Sequence, residues 1–486
     1  MIQMNPSLNN LRRTKNEPEC FNKNKGQMAL KCGGTMLETT TLSGKIQQFM
    51  KIFFPILVTQ VAFYLISFFD TVMAGRYGSA DLAGVGVGAS LWAPVYTGLT
   101  GILLAVAPLV SQAMGARKER EVKRIVIQAL YVSVAIIVLT VLLGLVLVNP
   151  ILNQMELSDQ ARHVARIYLV MLGFGIIPMF VFFVLRTLID SLGKSNITMT
   201  LLLFSLPINV AFNYLFIFGK FGFPELGGIG AGVATAITYW ILCIAVVGVV
   251  LKGELFQRLG ILRRFYKPDV TRIKELVLLG APIGLAIFSE VSIFSAVTLL
   301  LGAYGDVVIG AYQAAINFAS FVYMIPLSAA SALTITVGFE MGAKRVKDAV
   351  QYVWIGLLLC LVVSLFSGIL LYVQNERIAA LYSNDPAVIK MAAHFMILAI
   401  FFQLSDAVAA PTQGALRGFK DVNVTFILTI TAYWVIGLPL GFYFERFTEL
   451  GPDGYWWGLI IGLAVGASLL LLRLMHLVRK SKEVAK

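Results

Sequence analysis

Three acidic side chains stand within stretches of chain that are otherwise apolar enough to lie in a lipid bilayer. Asp70, Glu290 and Asp406 each follow a long apolar run. A carboxylate at the centre of a membrane helix costs about 2.5–3.5 kcal/mol on insertion scales, so we expect these acids to serve a function. Buried carboxylates in this setting bind a proton, a metal ion or a cationic substrate.

The first of these acids has polar companions on another apolar segment. Ser205, Asn209 and Asn213 recur every fourth residue, so they form one stripe on a helix. Carboxylate and amide oxygens are hard ligands that suit Na⁺ or a proton relay. Membrane asparagines also join helices by hydrogen bonds without any ligand, and the residues alone leave both roles open. We predict that Asp70, Asn209 and Asn213 form one cation- or proton-coupling site if their helices are neighbours.

The other two acids each have an aromatic residue one helical turn away. Phe294 follows Glu290, and Phe402 precedes Asp406, at a spacing of four residues. An acid beside a ring attracts an organic cation by charge and by cation–π contact. The pair also suits Na⁺, with the rings only lining the wall, because phenylalanine is common in this chain. We predict a Na⁺ or proton site at Glu290 and Asp406, and substrate contacts from Asp70, Glu290, Phe294 and Phe402.

The composition is that of a membrane protein. The 486 residues are 58% hydrophobic and 13% charged, against about 25% charged in soluble domains. The mean hydropathy is +0.81. A net charge of +13 could indicate nucleic-acid binding, but the basic residues lie in short loops between apolar segments, so we expect no nucleic-acid partner. We predict that the partner is the lipid bilayer.

Twelve apolar segments are long enough to span a bilayer as helices. They cover approximately residues 46–74, 82–113, 125–148, 163–188, 197–218, 229–251, 276–301, 307–338, 350–373, 392–415, 422–444 and 456–478. The predicted fold class is therefore an all-α integral membrane protein with twelve transmembrane helices.

Loop charges predict how these helices are oriented. Basic residues cluster after the second, sixth, eighth and tenth segments and in the C-terminal tail, whereas the opposite loops are short or acidic. The positive-inside rule places both termini in the cytoplasm of a multi-pass protein of the cell membrane. Arg186 lies near the cytoplasmic end of its helix, where we expect its side chain to snorkel towards water.

The chain repeats itself at a constant separation of 227 residues. Residues 75–78 align with 302–305, 114–116 with 341–343, and Asn196 with Asn423. Two six-helix lobes in the same orientation, related by a pseudo-two-fold axis along the membrane normal, explain this separation. The predicted units are an N-terminal tail 1–45, an N-lobe 46–251, a cytoplasmic linker 252–275, a C-lobe 276–478 and a basic tail 479–486.

The candidate site residues do not follow this repeat. Glu290 aligns with Phe63, Asp406 with Met179, and Asn209 with Ile436. Each lobe is therefore predicted to hold its own, chemically different site. Repeat transporters place substrate between their lobes near mid-membrane, and rocking of the lobes gives alternating access.

The sequence contains few other residues or motifs that indicate metal binding or catalysis. The four cysteines, Cys20, Cys32, Cys243 and Cys360, lack metal-ligand spacing and are expected to be reduced. There is no phosphate-binding loop, nucleophile elbow or zinc-protease motif, so we predict that the protein is not an enzyme and has no cofactor beyond a coupling ion. Met36 stands shortly before the first apolar segment, and translation is hypothesised to start there.

Several motifs together resemble the multidrug and toxic compound extrusion (MATE) family, specifically its NorM-like branch. The similarity extends over about residues 46–478. It rests on residues Phe69–Gly75, Gln112–Ala116, Pro207–Asn209, Asn213–Tyr214, Phe218–Lys220, Pro224–Gly228, Phe288–Glu290, Ser405–Asp406 and Gly414–Gly418.

The resemblance implies a two-lobe exporter of hydrophobic organic cations, such as drugs and dyes, driven by a Na⁺ or H⁺ gradient. An inbound cation would neutralise a carboxylate, shift the balance between lobe arrangements and release the drug. We expect a monomer. By resemblance, the N-lobe site is Asp70, Asn209 and Asn213, and the C-lobe cation site is Glu290 and Asp406. Phe402 stands where this branch also carries tyrosine, so a hydroxyl contribution is missing there.

Three other classes of membrane protein fit the sequence less well than a MATE-like exporter. A flippase for lipid-linked oligosaccharides, from the same broad superfamily, would favour a basic cavity, whereas the charges at membrane depth here are acidic. A major-facilitator carrier usually has an aspartate before the basic cluster that follows its second helix, and Gly115–Lys118 has none. A channel or receptor has little need of two repeated lobes with different acids.

Overall fold

The computed structural model describes residues 36, 39, 41–155, 157–262, 266–383 and 385–484. Within these residues, twelve helices are long and apolar enough to cross a membrane, as predicted. We label them α1 to α12, with bounds Leu42–Tyr77, Ser79–Gly115, Glu119–Gln154, Asp159–Ser191, Ser195–Phe218, Gly228–Lys252, Val270–Tyr304, Val307–Gly342, Val346–Ala379, Pro386–Gly418, Val422–Phe447 and Asp453–Ser481. Most of the predicted tail 1–45, with Cys20 and Cys32, lies outside the described residues.

The helices extend a few residues beyond the predicted apolar segments. Hydropathy detects only the part of a helix that matches the hydrocarbon core, and the helices continue through polar residues at the interface. Helix α7 begins at Val270, inside the predicted linker, because the Asp269 side chain caps it by accepting a hydrogen bond from Thr271 N at 3.0 Å. The remaining linker also contains a short helix, Glu254–Leu259.

The two halves of the chain pack in the same way. In the first half, α1 contacts α5, α2 contacts α4, α4 contacts α6, and α5 contacts α6. Their counterparts six helices later make the same pairs: α7 with α11, α8 with α10, α10 with α12, and α11 with α12. Each half is therefore a six-helix lobe with the same internal arrangement.

The interface between the lobes has the symmetry of a two-fold axis. Helix α2 contacts α8, and the two flanking contacts are α1 with α8 and α2 with α7. Exchanging the lobes maps the α2–α8 contact onto itself and interchanges the other two. A two-fold interface requires this pattern, in which the same surface is used by both partners.

The loops at the ends of the helices repeat as well. Arg117 and Lys344, which follow α2 and α8, both have left-handed backbones, with φ of 57° and 61°. Gly193 and Lys420, which follow α4 and α10, have φ of 73° and 64°. Left-handed φ is uncommon outside glycine, so its recurrence at 227 residues reflects a shared local fold.

Helix α1 belongs to both sides of the interface. The buried side chains of its first half, including Phe49, Phe53 and Ile56, are part of a core cluster with C-lobe residues such as Leu333 and Tyr352. The later part of the helix contacts α5 and α6 of its own lobe. Helix α1 therefore packs against both lobes.

Candidate functional site

Asp70 lies buried in the N-lobe, where α1, α5 and α6 meet; only 3% of it is exposed. Asn213 donates a hydrogen bond through Nδ2 to Asp70 Oδ1 at 2.6 Å. The Thr235 hydroxyl donates to the other carboxylate oxygen, also at 2.6 Å. Both oxygens thus have a donor, and the short distances are typical of bonds to an ionised carboxylate.

Four side chains, one of which is Asp70 itself, form a closed ring of hydrogen bonds. Asn209 donates to the Thr235 hydroxyl at 3.2 Å, and Asn213 Nδ2 also approaches Asn209 Oδ1 at 3.2 Å. Among the described groups, Asn213 Oδ1 is buried and has no hydrogen-bond partner. The predicted set Asp70, Asn209 and Asn213 is therefore assembled in space, with a free acceptor oxygen beside the acid. The hydrogen bond from Asn213 to Asp70 also joins α5 to α1, which is the structural role that membrane asparagines can have without any ligand.

Thr235 completes the ring and was not identified from sequence. It stands between alanines on α6, and a lone membrane threonine normally bonds to its own helix. Only the adjacency of α1 and α6, which the sequence does not give, shows that its hydroxyl faces Asp70. Its spacing from Gly228, seven residues earlier on a small-residue face, was the one available signal.

Glu290 of α7 is surrounded by hydroxyl donors in the C-lobe. Tyr323 of α8 and Tyr433 of α11 both donate to Glu290 Oε1, at 3.2 Å and 3.4 Å. The buried guanidinium of Arg417 on α10 attracts the carboxylate electrostatically. The acid is therefore held by three neighbouring helices.

Asp406 of α10 is in a different environment. It is 5% exposed, and no described side chain or backbone group donates a hydrogen bond to it. Its carboxyl group is near enough to Glu290 for the two acids to interact electrostatically, so that a negative charge on one opposes a negative charge on the other. A cation placed between them would relieve that repulsion, although no group of three or more metal-ligating side chains of the His, Cys, Asp and Glu types occurs in the described residues.

The two predicted aromatic residues pack against each other. The rings of Phe294 and Phe402 lie 5.4 Å apart at 82°, which is an edge-to-face contact. Phe402 is buried in a core cluster of the C-lobe, whereas Phe294 is only partly buried. The ring surface that a ligand could reach therefore belongs mainly to Phe294.

The two acidic sites lie at different depths. Helices α1 and α7 are equivalent in the repeat, and Asp70 aligns with Val297, seven residues beyond Glu290. At 1.5 Å per residue, Asp70 is about 10 Å farther from the end of the molecule at which α1 begins. The polar sites are therefore asymmetric in position as well as in chemistry.

Three further buried acids were missed because they lie near the ends of helices. Asp81 accepts a hydrogen bond from Gly228 N at 2.6 Å and so caps α6. Glu340 pairs with Arg345 at 2.7 Å. Asp190 accepts a hydrogen bond from Thr198 at 2.6 Å. Each has a structural partner, in contrast to Asp406.

The prediction that Arg186 snorkels towards water is wrong. The residue is 8% exposed, and its guanidinium lies 3.5 Å from Asp190, one turn later on α4. It also donates to Gln60 of α1 at 3.0 Å and stacks over Phe63 at 5.2 Å. The carboxylate partner removes the reason for the side chain to reach for water.

A charged vestibule of about 860 Å³ lies between the lobes at the end where the described chain begins and ends. Its floor includes Gln112 and Gly342, at the crossing of α2 and α8. Burial lowers the pKa of Lys420, which lines it between α10 and α11. The other charged lining residues are Arg117, Lys118, Glu119, Arg120, Glu121, Arg272, Glu275 and Lys344.

In the described residues, twelve membrane-spanning helices form two equivalent lobes with buried acids inside them, which is the architecture of a membrane transporter. The MatE family profile matches residues 55–215 and again residues 282–443. The chain therefore belongs to the MATE family of transporters. The two matches begin 227 residues apart, which is the separation of the sequence repeat.

Relatives and solved structures agree with this assignment. The chain is 49% identical to a probable multidrug resistance protein NorM of Halalkalibacterium halodurans, over 93% of this chain and 98% of the relative. It is 50% identical to the protein of the same name in Bacillus subtilis, over 92% and 99%. The crystal structure of the eukaryotic MATE transporter AtDTX14 superposes with a TM-score of 0.82 at 19% identity, covering 92% of this chain and all of that one.

Proposed function

We propose that this transporter is a cation-coupled multidrug antiporter, which exports hydrophobic organic cations in exchange for Na⁺ or H⁺ by alternating access. The observation that carries the proposal is the contrast between its buried acids. Asp81, Asp190 and Glu340 each have a hydrogen-bond or ion-pair partner near the end of a helix. Asp406 accepts no hydrogen bond from the described residues and interacts electrostatically with Glu290. A bound cation would supply Asp406 with the positive charge that Arg417 supplies to Glu290.

Cation binding has a direct route to the lobe interface. A proton or Na⁺ on Asp70 would compete with the donors Asn213 and Thr235, because the carboxylate oxygens can no longer accept both bonds equally. This changes how α1 sits against α5 and α6. Since the first half of α1 is packed on the C-lobe, the change biases the relative position of the two lobes.

The side chains buried within the lobes indicate which class of substrate the transporter binds. Acids at membrane depth and the partly exposed ring of Phe294 favour an apolar cation. The relatives are named as multidrug resistance proteins, which supports the same class of cargo. One chain contains both lobes, so a monomer is sufficient. The positive-inside rule supports cytoplasmic termini in the cell membrane.

Purified protein in liposomes provides the test. Ethidium uptake would be measured under an imposed Na⁺ gradient and, separately, an imposed pH gradient, for wild type and for Asp70→Asn, Glu290→Gln and Asp406→Asn. We expect one gradient to drive uptake and the three variants to lose at least about 90% of it, since a neutral side chain cannot exchange charge. Asp159→Asn, which changes an exposed acid, is the matched control. Wild-type transport by both Asp70→Asn and Glu290→Gln would refute the mechanism.

A further inference from the structure

Two ion pairs join the lobes at the end of the molecule where α1 begins. Lys45 Nζ lies 2.5 Å from Asp348 Oδ1, which links the start of α1 to the start of α9. Arg272 Nη2 lies 2.6 Å from Glu121 Oε2, which links the start of α7 to the start of α3. Each pair therefore has one partner in the N-lobe and one in the C-lobe.

The two pairs are images of each other in the internal repeat. Lys45 and Arg272 are 227 residues apart, and so are Glu121 and Asp348. The base from one lobe meets the acid from the other, and the second pair makes the same contact with the lobes exchanged. The acids of the transport sites do not follow the repeat, but these four charged residues do.

The first pair is the more deeply buried. The Lys45 side chain is 1% exposed and also donates to Gln351 of α9. A buried ammonium without a partner is strongly unfavourable, so Lys45 requires the C-lobe to be in place. Arg272 is 37% exposed and keeps a second partner, Glu275, within its own helix at 2.8 Å. Loss of contact with the opposite lobe therefore affects Lys45 more than Arg272.

We infer that these two ion pairs form a twin latch that closes the lobes at this end and that must open when the transporter turns to its other state. The inference rests on the alternating access of the proposed function. Arg272 and Glu121 line the same cleft between the lobes as Gln112 and Gly342, which lie where α2 and α8 cross. Separation of the lobes at this end would break both pairs together, whereas movement within one lobe would break neither.

Electron–electron distance measurements test the latch directly. Arg120 and Lys347 are exposed, equivalent in the repeat, and stand on α3 and α9 on opposite sides of the interface. Spin labels on cysteines at these two positions, in a background with the four native cysteines replaced, would report the opening in lipid nanodiscs. We expect K45E and D348K each to add a population at longer distance, and the K45E/D348K double reversal to restore the short one.

A change at buried Lys45 could prevent folding, and in that case the pair of Arg272 and Glu121 provides the test. E121K and R272E should shift the distance less, and the E121K/R272E double reversal should restore it. Unchanged distances in the folded single reversals, or no restoration in the double reversals, would overturn the latch. The control is R473E, which breaks the 2.7 Å pair with Asp421 inside the C-lobe and should leave the distance unchanged.

The distance readout uses neither drug nor ion gradient. If the latch responds as expected while liposomes show no coupled ethidium transport, the proposed antiport is wrong and the latch stands. If an ion gradient drives ethidium transport but the charge reversals leave the distance between the spin labels unchanged, the proposed antiport stands and the latch is wrong.

Discussion

Gly115 and Gly342 each lie against the backbone of the other's lobe. A Cβ atom added to Gly115 would overlap the carbonyl oxygen of Phe339, and one added to Gly342 would overlap the carbonyl oxygen of Gln112. Gln112 and Phe339 are also equivalent positions in the repeat. Helices α2 and α8 therefore cross at the pseudo-two-fold axis with their backbones in contact, and only glycine leaves room for this.

Gly115→Ala and Gly342→Ala are expected to hold the lobes apart at this end. The obstructing atoms belong to backbone, which cannot rotate away, so overpacking should cost about 1–3 kcal/mol in the closed state. We predict that either variant lowers transport and adds a longer distance between labels at Arg120 and Lys347. Gly86→Ala on α2 is the matched control, because nothing lies within 4 Å of its added Cβ. Wild-type distances in both interface variants would contradict the crossing.

Thr235 is predicted to position the N-lobe carboxylate through its hydroxyl. Thr235→Val keeps the shape but removes the donor to Asp70 Oδ2, and a hydrogen bond to a charged group contributes about 1.5–3 kcal/mol. The affinity for the coupling ion should change by about 10-fold or more, with drug transport reduced. Thr235→Ser retains the hydroxyl and should restore most of the activity. Equal behaviour of the valine and serine variants would argue against the hydrogen bond.

Neutralising Asp406 should stabilise the protein while abolishing its response to the ion. Asp406→Asn removes the cost of burying an ionisable carboxyl group and the repulsion from Glu290, and it sacrifices no described hydrogen bond, so its melting temperature without coupling ion should rise. Wild type should gain stability as the ion saturates its site, by about 2.7 kcal/mol at 100 times the dissociation constant. Thermal unfolding would be followed while Na⁺ replaces choline at constant ionic strength, and separately as pH falls.

The comparison for that experiment is Asp81→Asn. This change keeps an acceptor oxygen for Gly228 N but removes its negative charge, so the melting temperature should fall, but the shift produced by the coupling ion should remain. If Asp406→Asn instead lowered the melting temperature and kept the full ion response, the acid pair of Asp406 and Glu290 would not be the ion site.

The sequence predicted the helices and the repeat because both leave periodic signals over many residues. It also grouped Asp70 with Asn209 and Asn213, because a carboxylate in lipid requires polar partners, on the condition that their helices are neighbours. It could not show Thr235 in the ring, because that depends on which helices are neighbours. Asp70 lies on α1 and its partners lie on α5 and α6, and no local pattern connects α1 to α6.

Charges near the ends of helices escaped sequence reasoning for a related reason. Lys45, Glu121, Arg272 and Asp348 resemble ordinary interfacial charges, and hydropathy treats all such residues alike. The separation of 227 residues relates them in pairs, but the repeat does not say which surfaces meet. The packing of α1 and α2 against α7 and α8 supplies that information.

The Arg186–Asp190 pair is predicted to support the fold of the N-lobe without taking part in ion coupling. Asp190→Ala leaves a buried guanidinium without its carboxylate and the Thr198 hydroxyl without its acceptor, which should cost about 3–5 kcal/mol. Asp190→Asn keeps an acceptor for Thr198 and should cost less. Thermal unfolding should rank wild type above asparagine and asparagine above alanine, while the ion response of the folded fraction stays at the wild-type level. A changed ion dependence in Asp190→Asn would instead make this pair part of the coupling site, because its Arg186 contacts Gln60 on α1, the helix that carries Asp70.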